Sequence, residues 1–156
     1  MTVFADSSAV VKLYADEPHA DRIRRVEFFV VSVLARVEVP AALWRKSRTG
    51  ELSVPDAALL SGVFGADWNS GGRFIPVAVG VVVIEDAAAL VARHGLRAYD
   101  GVQLACAIAA RRADPSIATV ACFDDQLCDA AAREGFGLLT APTPAPEPAV
   151  ERRAAR

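Results

Sequence analysis

Four carboxylates in this chain stand where a strand-like run of apolar residues gives way to a helix-like one. Asp6, Glu38 and Asp124 each follow a short run of apolar residues, and Asp100 heads an alanine-rich segment. Because strand ends and helix starts gather along one edge of a parallel α/β sheet, acids that are distant in sequence can meet there. Buried acids repel one another unless a cation lies between them, and Mg²⁺ prefers oxygen ligands. The pattern therefore predicts a divalent-metal site.

Each acid also has a purely structural interpretation. Asp6 and Asp124 could be helix N-caps, and Asp100 could favour the positive end of its helix. Glu38 is harder to explain in this way, because it lies between two valines beside a predicted buried strand, with no lysine nearby. Taken together, the four acids favour one shared site. The chemistry that fits is phosphodiester hydrolysis, in which one or two Mg²⁺ or Mn²⁺ ions activate water and stabilise charge.

The segments that must position these acids alternate between strand and helix patterns. Strands are predicted at 2–5, 28–31, 74–77, 118–123 and 137–139, and helices at 7–15, 35–48, 54–68, 83–94, 99–112 and 125–134, with a further helix that has Pro18 in its first turn. This alternation predicts an α/β fold with a central parallel sheet and helices on both faces. Residues 1–141 are predicted to form one domain. The proline-rich residues 142–156 are predicted to be a flexible tail.

Composition narrows the setting in which the protein works. The net charge of −2 predicts no general attraction to nucleic acid, so an RNA partner would need local arginines and bound metal. Cys106, Cys122 and Cys128 lack C-x-x-C spacing and stand among apolar residues, which favours buried free thiols in a reducing compartment over disulfides or zinc. No apolar run is long enough to span a membrane. We predict a soluble cytoplasmic protein.

Competing chemistries of α/β folds lack their required residues. A phosphotransfer site of the haloacid dehalogenase kind needs a second acid two residues after the first, where this chain has Ser8, and a late lysine, whereas none follows Lys46. A dinucleotide-binding fold needs a glycine-rich turn after the first strand, and that turn is absent. Neither a G-x-S-x-G elbow nor a Walker loop occurs. The nuclease interpretation remains.

Four segments, each built around one of the acids, occur in a characteristic order: residues 4–14, 32–43, 96–105 and 123–127. In this order they resemble PIN-domain proteins, and specifically the VapC-type toxins of bacterial type II toxin–antitoxin systems. The resemblance covers nearly the whole chain up to residue 139. It implies a PIN-like fold and a Mg²⁺-dependent endoribonuclease, in which Mn²⁺ can substitute, with Asp6, Glu38, Asp100 and Asp124 as its acidic quartet.

The resemblance also assigns roles to individual acids. It makes Asp6 and Asp100 direct ligands of the first metal, and Ser8 a polar residue that supports the pocket. Asp125 is an ambiguity, since it could replace Asp124 as the fourth acid or serve as an N-cap. The three-residue step from Asp124 to the apolar residue at 127 favours Asp124.

Partners follow from the same resemblance. It implies a cognate antitoxin whose C-terminal segment enters the acidic groove, an RNA substrate and a homodimer. The arginines that flank the acids in sequence could bind RNA phosphates, although solvated helix faces would explain them equally well; they are Arg36, Arg45, Arg48 and Arg97. Two alternatives stay open, a catalytically silent PIN-like module that binds protein or RNA, and a PIN nuclease of RNA maturation. Which RNA is cleaved also stays open.

Overall fold

A five-stranded, entirely parallel sheet forms the centre of the protein in the computed structural model, which describes residues 2–139. The spatial order of the strands is β3-β2-β1-β4-β5. Their bounds are β1 Thr2–Ala5, β2 Phe28–Ser32, β3 Phe74–Val77, β4 Thr119–Ala121 and β5 Gly137–Leu138. The predicted parallel α/β sheet is thereby confirmed.

Seven helices connect and follow these strands within the described residues. They are α1 Ser7–Val11, α2 Ala20–Arg24, α3 Ala35–Arg48, α4 Val54–Asn69, α5 Val81–His94, α6 Ala98–Ala113 and α7 Asp125–Arg133. None of the helices in this part of the chain is long and apolar enough to cross a membrane.

The sheet separates two apolar cores, because the side chains of each strand alternate between its faces. On one face, residues of α1 to α4 such as Val10, Leu43 and Phe64 pack against Phe29. On the other face, residues of α5 to α7 such as Leu90, Leu104 and Leu127 pack against Phe4 and Val120. Helices therefore cover both faces of the sheet, as the sequence predicted. Two buried faces also explain why the strands read as continuous apolar runs.

Two local predictions, the end of the first helix and the place of Pro18, differ from the structure. Helix α1 ends at Val11 rather than at 15. Helix α2 begins at Ala20 after His19, whose φ of 70° lies in the left-handed region, so Pro18 precedes the helix instead of lying in its first turn. Pro40 lies inside α3, where its missing N–H leaves the Arg36 carbonyl without its helical bond. The predicted tail at 142–156 lies outside the described residues.

The prediction of three free thiols was wrong for two of the cysteines. Cys122 and Cys128 form a disulfide, with their Cα atoms 6.0 Å apart, while Cys106 is free and buried. Cys122 directly follows β4, and Cys128 lies in the first half of α7. The turn between strand and helix brings the two together, which is a tertiary consequence that their spacing of six residues does not reveal.

Gly101 packs against α5 without room for a side chain. A Cβ atom at this position would lie 2.5 Å from Val91 Cγ2 and 3.2 Å from the Ala87 carbonyl oxygen. We expect Gly101→Ala to lower the free energy of unfolding by about 1–3 kcal/mol, even though alanine favours helices by about 1 kcal/mol over glycine. Urea unfolding measures the change. In a Val91→Ala background the loss should shrink, and an equal loss in both backgrounds would contradict the steric cause.

Candidate active site

The strand order brings the four predicted acids to one cleft. The chain first moves from central β1 to β2 and β3 on one side, and then returns to β4 and β5 on the other. Such a reversal leaves a crevice at the carboxyl ends of the central strands. Asp6, Glu38, Asp100 and Asp124 all line a cleft of about 480 Å³ at this edge. The juxtaposition inferred from sequence is therefore present.

Asp6 is the most deeply placed of these acids. It immediately follows β1, and only 6% of its surface is exposed. As the N-cap of α1 it accepts a hydrogen bond from the Ala9 N–H at 2.9 Å, and the Ser8 hydroxyl lies 2.7 and 2.9 Å from its two oxygens. The pKa of Asp6 is raised to about 6, mainly by burial; the charges of Glu38 and Asp100 contribute to the rise, and the hydrogen bonds from Ala9 and Ser8 oppose it. Capping and site formation are therefore compatible roles of one side chain.

Glu38 is held in place by two residues that the sequence reasoning missed. Its Oε2 accepts a hydrogen bond from the amide of Gln103 at 2.8 Å and another from the hydroxyl of Ser7. Gln103 is buried, and its Oε1 has no hydrogen-bond partner among the described residues. One signal in the sequence could have found these residues: Ser7 adjoins Asp6, and Gln103 lies one helical turn after Asp100.

Asp100 and Asp124 form the other side of the acidic cluster. Burial raises the pKa of Asp100, the charges of Asp124 and Glu38 add to the effect, and Arg97 opposes it. Asp100 Oδ2 is buried without a hydrogen bond from a described residue. Asp124 caps α7, since its Oδ1 accepts from the Leu127 N–H at 3.0 Å.

The neighbouring acid, Asp125, is placed differently. It is exposed in the first turn of α7, and it is not among the residues that line the cleft. The N-cap position belongs to Asp124 instead. The geometry thus favours Asp124 as the fourth acid and leaves Asp125 on the surface.

The four candidate arginines separate into two pairs. Arg45 and Arg97 line the cleft. Arg36 lies with its guanidinium carbon 6.0 Å from the centre of the Phe64 ring, and neither Arg36 nor Arg48 lines the cleft. Within residues 2–139, neither Arg45 nor Arg97 forms an ion pair.

The pKa values of two acids in the cleft are shifted in the opposite direction from that of Glu17, an acid that forms ion pairs elsewhere in the protein. Glu17 has Lys12 at 2.6 Å and Lys46 beside it; although burial opposes ionisation, these two lysines lower the pKa of Glu17. In the cleft the pKa values of Asp6 and Asp100 are raised instead. The cleft therefore contains acids whose ionised forms lack sufficient positive charge nearby.

Hard oxygen donors that form no ion pair within residues 2–139 fit a Mg²⁺ or Mn²⁺ ion. Among the described residues, no three acids, histidines or cysteines converge closely enough to enclose an ion by themselves. This open arrangement is compatible with Mg²⁺, which retains several water ligands and is commonly bound through only one or two carboxylates. The residues present thus fit a hydrated divalent ion better than a fully caged one.

The fold and this acidic cleft define a class of protein. A family model described as PIN domain matches residues 3–133, and the chain therefore belongs to the PIN-domain family. Among solved structures, the chain is similar to Mycobacterium tuberculosis VapC20, a toxin that cleaves the sarcin-ricin loop, with a TM-score of 0.59 and 16% sequence identity over 86% of this chain and 95% of that one. Comparison with curated protein sequences gives no match. The predicted PIN-like fold is confirmed.

Proposed function

We propose that this protein is a divalent-metal-dependent endoribonuclease that hydrolyses RNA phosphodiester bonds. The observation that carries the proposal is the convergence of Asp6, Glu38, Asp100 and Asp124 on one cleft of a PIN domain. Two of them, Asp6 and Asp100, have raised pKa values and form no ion pair within residues 2–139, as expected of carboxylates whose natural partner is a metal ion. Asp6 and Asp100 would hold Mg²⁺ or Mn²⁺, with Asp124 and Glu38 completing the charge of the site.

The residues of the cleft would divide the work of hydrolysis among them. A bound divalent ion supplies a Lewis acid for the phosphate oxygens and makes water more acidic. Ser8 and the Ala9 N–H hold the Asp6 carboxylate in one orientation. Ser7 and Gln103 hold Glu38 Oε2, which leaves Oε1 to accept a hydrogen bond from the attacking water. Arg45 and Arg97 would bind RNA phosphates at the rim. In-line attack of water on phosphorus would form a new P–O bond as the bond to the 3′ oxygen breaks, leaving a 5′-phosphate and a 3′ oxygen that takes up a proton to become a hydroxyl.

The biological role we propose is that of a toxin in a type II toxin–antitoxin pair. Both the sequence resemblance and the likeness in fold to VapC20 support this proposal. The partners would be an antitoxin that covers the acidic groove, a second copy of the chain and RNA in the cytoplasm. Growth arrest on induced expression, relieved by co-expression of a short neighbouring gene, would support the toxin role. A chain without such a neighbour and without growth inhibition would fit RNA maturation instead.

Metal removal tests the proposed chemistry directly. Purified protein is incubated with ribosomal RNA, transfer RNA and messenger RNA in the presence of Mg²⁺, Mn²⁺ or EDTA. We expect discrete cleavage with either metal, and none with EDTA until excess metal is restored. Cleavage that persists in EDTA would contradict the metal-dependent mechanism, and an absence of cleavage in every RNA would favour the catalytically silent module.

A further inference from the structure

A disulfide closes a ring of the chain around one of the four acids of the cleft. Cys122 and Cys128 are joined with their Cα atoms 6.0 Å apart, and the segment between them contains Asp124, which lines the cleft. The ring spans the turn between β4, which ends at Ala121, and α7, which begins at Asp125. Making or breaking this bond therefore acts on the segment that carries Asp124.

The two ends of the ring are anchored differently. Cys122 is fully buried, and Ala121 before it accepts a hydrogen bond from the Asp6 N–H at 3.1 Å, so this end is fixed to the sheet beside the deepest acid. Cys128 is half-buried and lies on α7. The disulfide thus ties the start of a nine-residue helix to the end of a central strand.

Hydrogen bonds within the ring shape the turn without attaching it to the sheet. Asp124 Oδ1 accepts from the Leu127 N–H at 3.0 Å, and the Cys128 N–H donates to the Asp124 carbonyl oxygen at 2.9 Å. Like charge opposes the present position of the turn, because Asp124 and Asp100 are close enough for the charge of the first to raise the pKa of the second. A covalent tie that resists this repulsion keeps the Asp124 carboxylate at the cleft.

Packing should keep α7 on the sheet when the disulfide is absent. Three residues of this helix, Leu127, Ala130 and Ala131, are buried in the apolar core. Without the disulfide, the turn before the helix loses its tie to β4, and the repulsion between Asp124 and Asp100 can displace it. Reduction is therefore expected to alter the cleft locally while the fold is kept.

We propose that the Cys122–Cys128 disulfide is a redox switch of the cleft, in which the oxidised protein holds Asp124 in place and binds a divalent ion tightly, and reduction weakens this binding. The inference rests on the proposed function and adds the regulation of its site. In a compartment that keeps disulfides reduced, the protein is held in its weaker form, and oxidising conditions raise its metal affinity.

The reductant is a dithiol, which reaches the half-buried Cys128 more readily than the buried Cys122. One thiolate of the dithiol attacks the Cys128 sulfur, forms a mixed disulfide and displaces the Cys122 thiolate, which takes up a proton. The second thiol of the dithiol loses its proton and attacks its partner sulfur in the mixed disulfide, which releases Cys128 as a thiolate that is then protonated. The protein disulfide gains two electrons and two protons, and the dithiol loses them.

The experiment compares the full chain oxidised with glutathione disulfide and the full chain reduced with dithiothreitol, each desalted under nitrogen before measurement. Alkylation after unfolding, followed by mass spectrometry, counts the thiols: one in the oxidised form, from Cys106, and three in the reduced form. Calorimetry with Mn²⁺ should give a Kd about 10-fold larger for the reduced form, at the lower end of the loss expected when the support of a metal ligand is removed. RNA cleavage should fall at limiting Mg²⁺ and recover at saturating Mg²⁺.

Three variants show whether the effect passes through Asp124. Cys128→Ser cannot form the disulfide and should bind Mn²⁺ like reduced wild type under both conditions. Cys106→Ala removes the free thiol and should keep the wild-type response to reduction. Asp124→Asn should bind Mn²⁺ more weakly in both forms, with little further change on reduction, because the two changes disturb the same ligand.

Equal Mn²⁺ affinity of oxidised and reduced wild type would overturn the inference, and so would a 10-fold effect of reduction that persists in Asp124→Asn. Loss of the far-ultraviolet circular dichroism signal on reduction would also overturn it, because the disulfide would then support the whole fold. Three thiols after oxidation would show that the disulfide does not form. If wild type binds no Mn²⁺ and cleaves no RNA in either form, the proposed function has failed and the switch with it; if it binds and cleaves equally in both, only the switch has failed.

Discussion

Substitution Asp6→Asn is expected to lower metal-dependent RNA cleavage by on the order of 10²–10³-fold, the loss typical when one preorganised charge at a reacting phosphate is removed. Asparagine keeps the size of the side chain and is a good N-cap, so the hydrogen bond from the Ala9 N–H can persist while the negative charge is lost. The activity change would then report on the charge itself. Cleavage rates at saturating Mg²⁺ measure the change in activity. Calorimetry with Mn²⁺ measures the change in metal affinity.

A matched pair of neighbouring acids supplies the control. Asp124 lines the cleft and Asp125 does not, so Asp124→Asn should reduce cleavage strongly, whereas Asp125→Asn should stay within about twofold of wild type, as surface changes away from a site usually do. The reverse ranking would move the fourth acid to Asp125. Undiminished cleavage by Asp6→Asn, with its Mn²⁺ affinity intact, would refute the assignment of Asp6 as a metal-holding residue.

The same Asp6→Asn change is expected to make the metal-free protein more stable at neutral pH. The pKa of Asp6 is raised from 3.8 to about 6 in the fold, so between these values the folded state binds a proton that the unfolded state has lost. The contribution of Asp6 to the free energy of unfolding is therefore fully present below pH 3.8, and it is lost as the pH rises through about 6. Since each pKa unit is 1.36 kcal/mol, wild type should lose about 3 kcal/mol relative to Asp6→Asn across this window.

Urea unfolding of both proteins in EDTA, from pH 4 to pH 8, measures this difference. Comparing the two variants at each pH cancels other carboxylates whose pKa values are lowered, such as that of Glu134 beside His94 and Arg93. Saturating Mg²⁺ should recover stability in wild type, by about 2.7 kcal/mol at 100 times its Kd, and should recover much less in Asp6→Asn. A constant difference between the two proteins from pH 4 to pH 8 would contradict the raised pKa of Asp6.

These two predictions describe one trade-off. Under the proposed function, Asp6 would destabilise the metal-free fold, because its charge is desolvated and faces other acids. The structure limits the cost with local hydrogen bonds, from Ser8 and Ala9 to Asp6 and from Gln103 to Glu38. Such bonds keep the carboxylates oriented without neutralising them. The proposed function and the stability of the fold would therefore make opposite demands on Asp6.

Much of the site could be predicted from the sequence because its chemistry is tied to local pattern. An acid that follows an apolar strand and begins a helix must lie at the carboxyl edge of a parallel sheet, whatever the details of packing. This is why the places of Asp6 and Asp124 beside the cleft could be predicted from the sequence. The supporting role of Ser8 rests on the family resemblance and stays a prediction. The alternation of strands and helices determined the layered fold in the same way.

The tertiary structure decided the features that depend on contacts between distant elements. It separated Arg45 and Arg97 from Arg36 and Arg48, because the face of a helix that meets a cleft depends on how that helix packs. It joined Cys122 to Cys128 across a turn that the pattern does not describe.

The pKa values of the acids, and the residues that orient their side chains, also depend on contacts between distant elements. Local pattern alone determined that four acids would share one edge of the sheet. Which groups orient Glu38, and how far burial raises the pKa of Asp6, depend on desolvation and on hydrogen bonds between residues as far apart as Glu38 and Gln103. Burial and these hydrogen bonds form only when the chain packs, so the sequence pattern does not predict them.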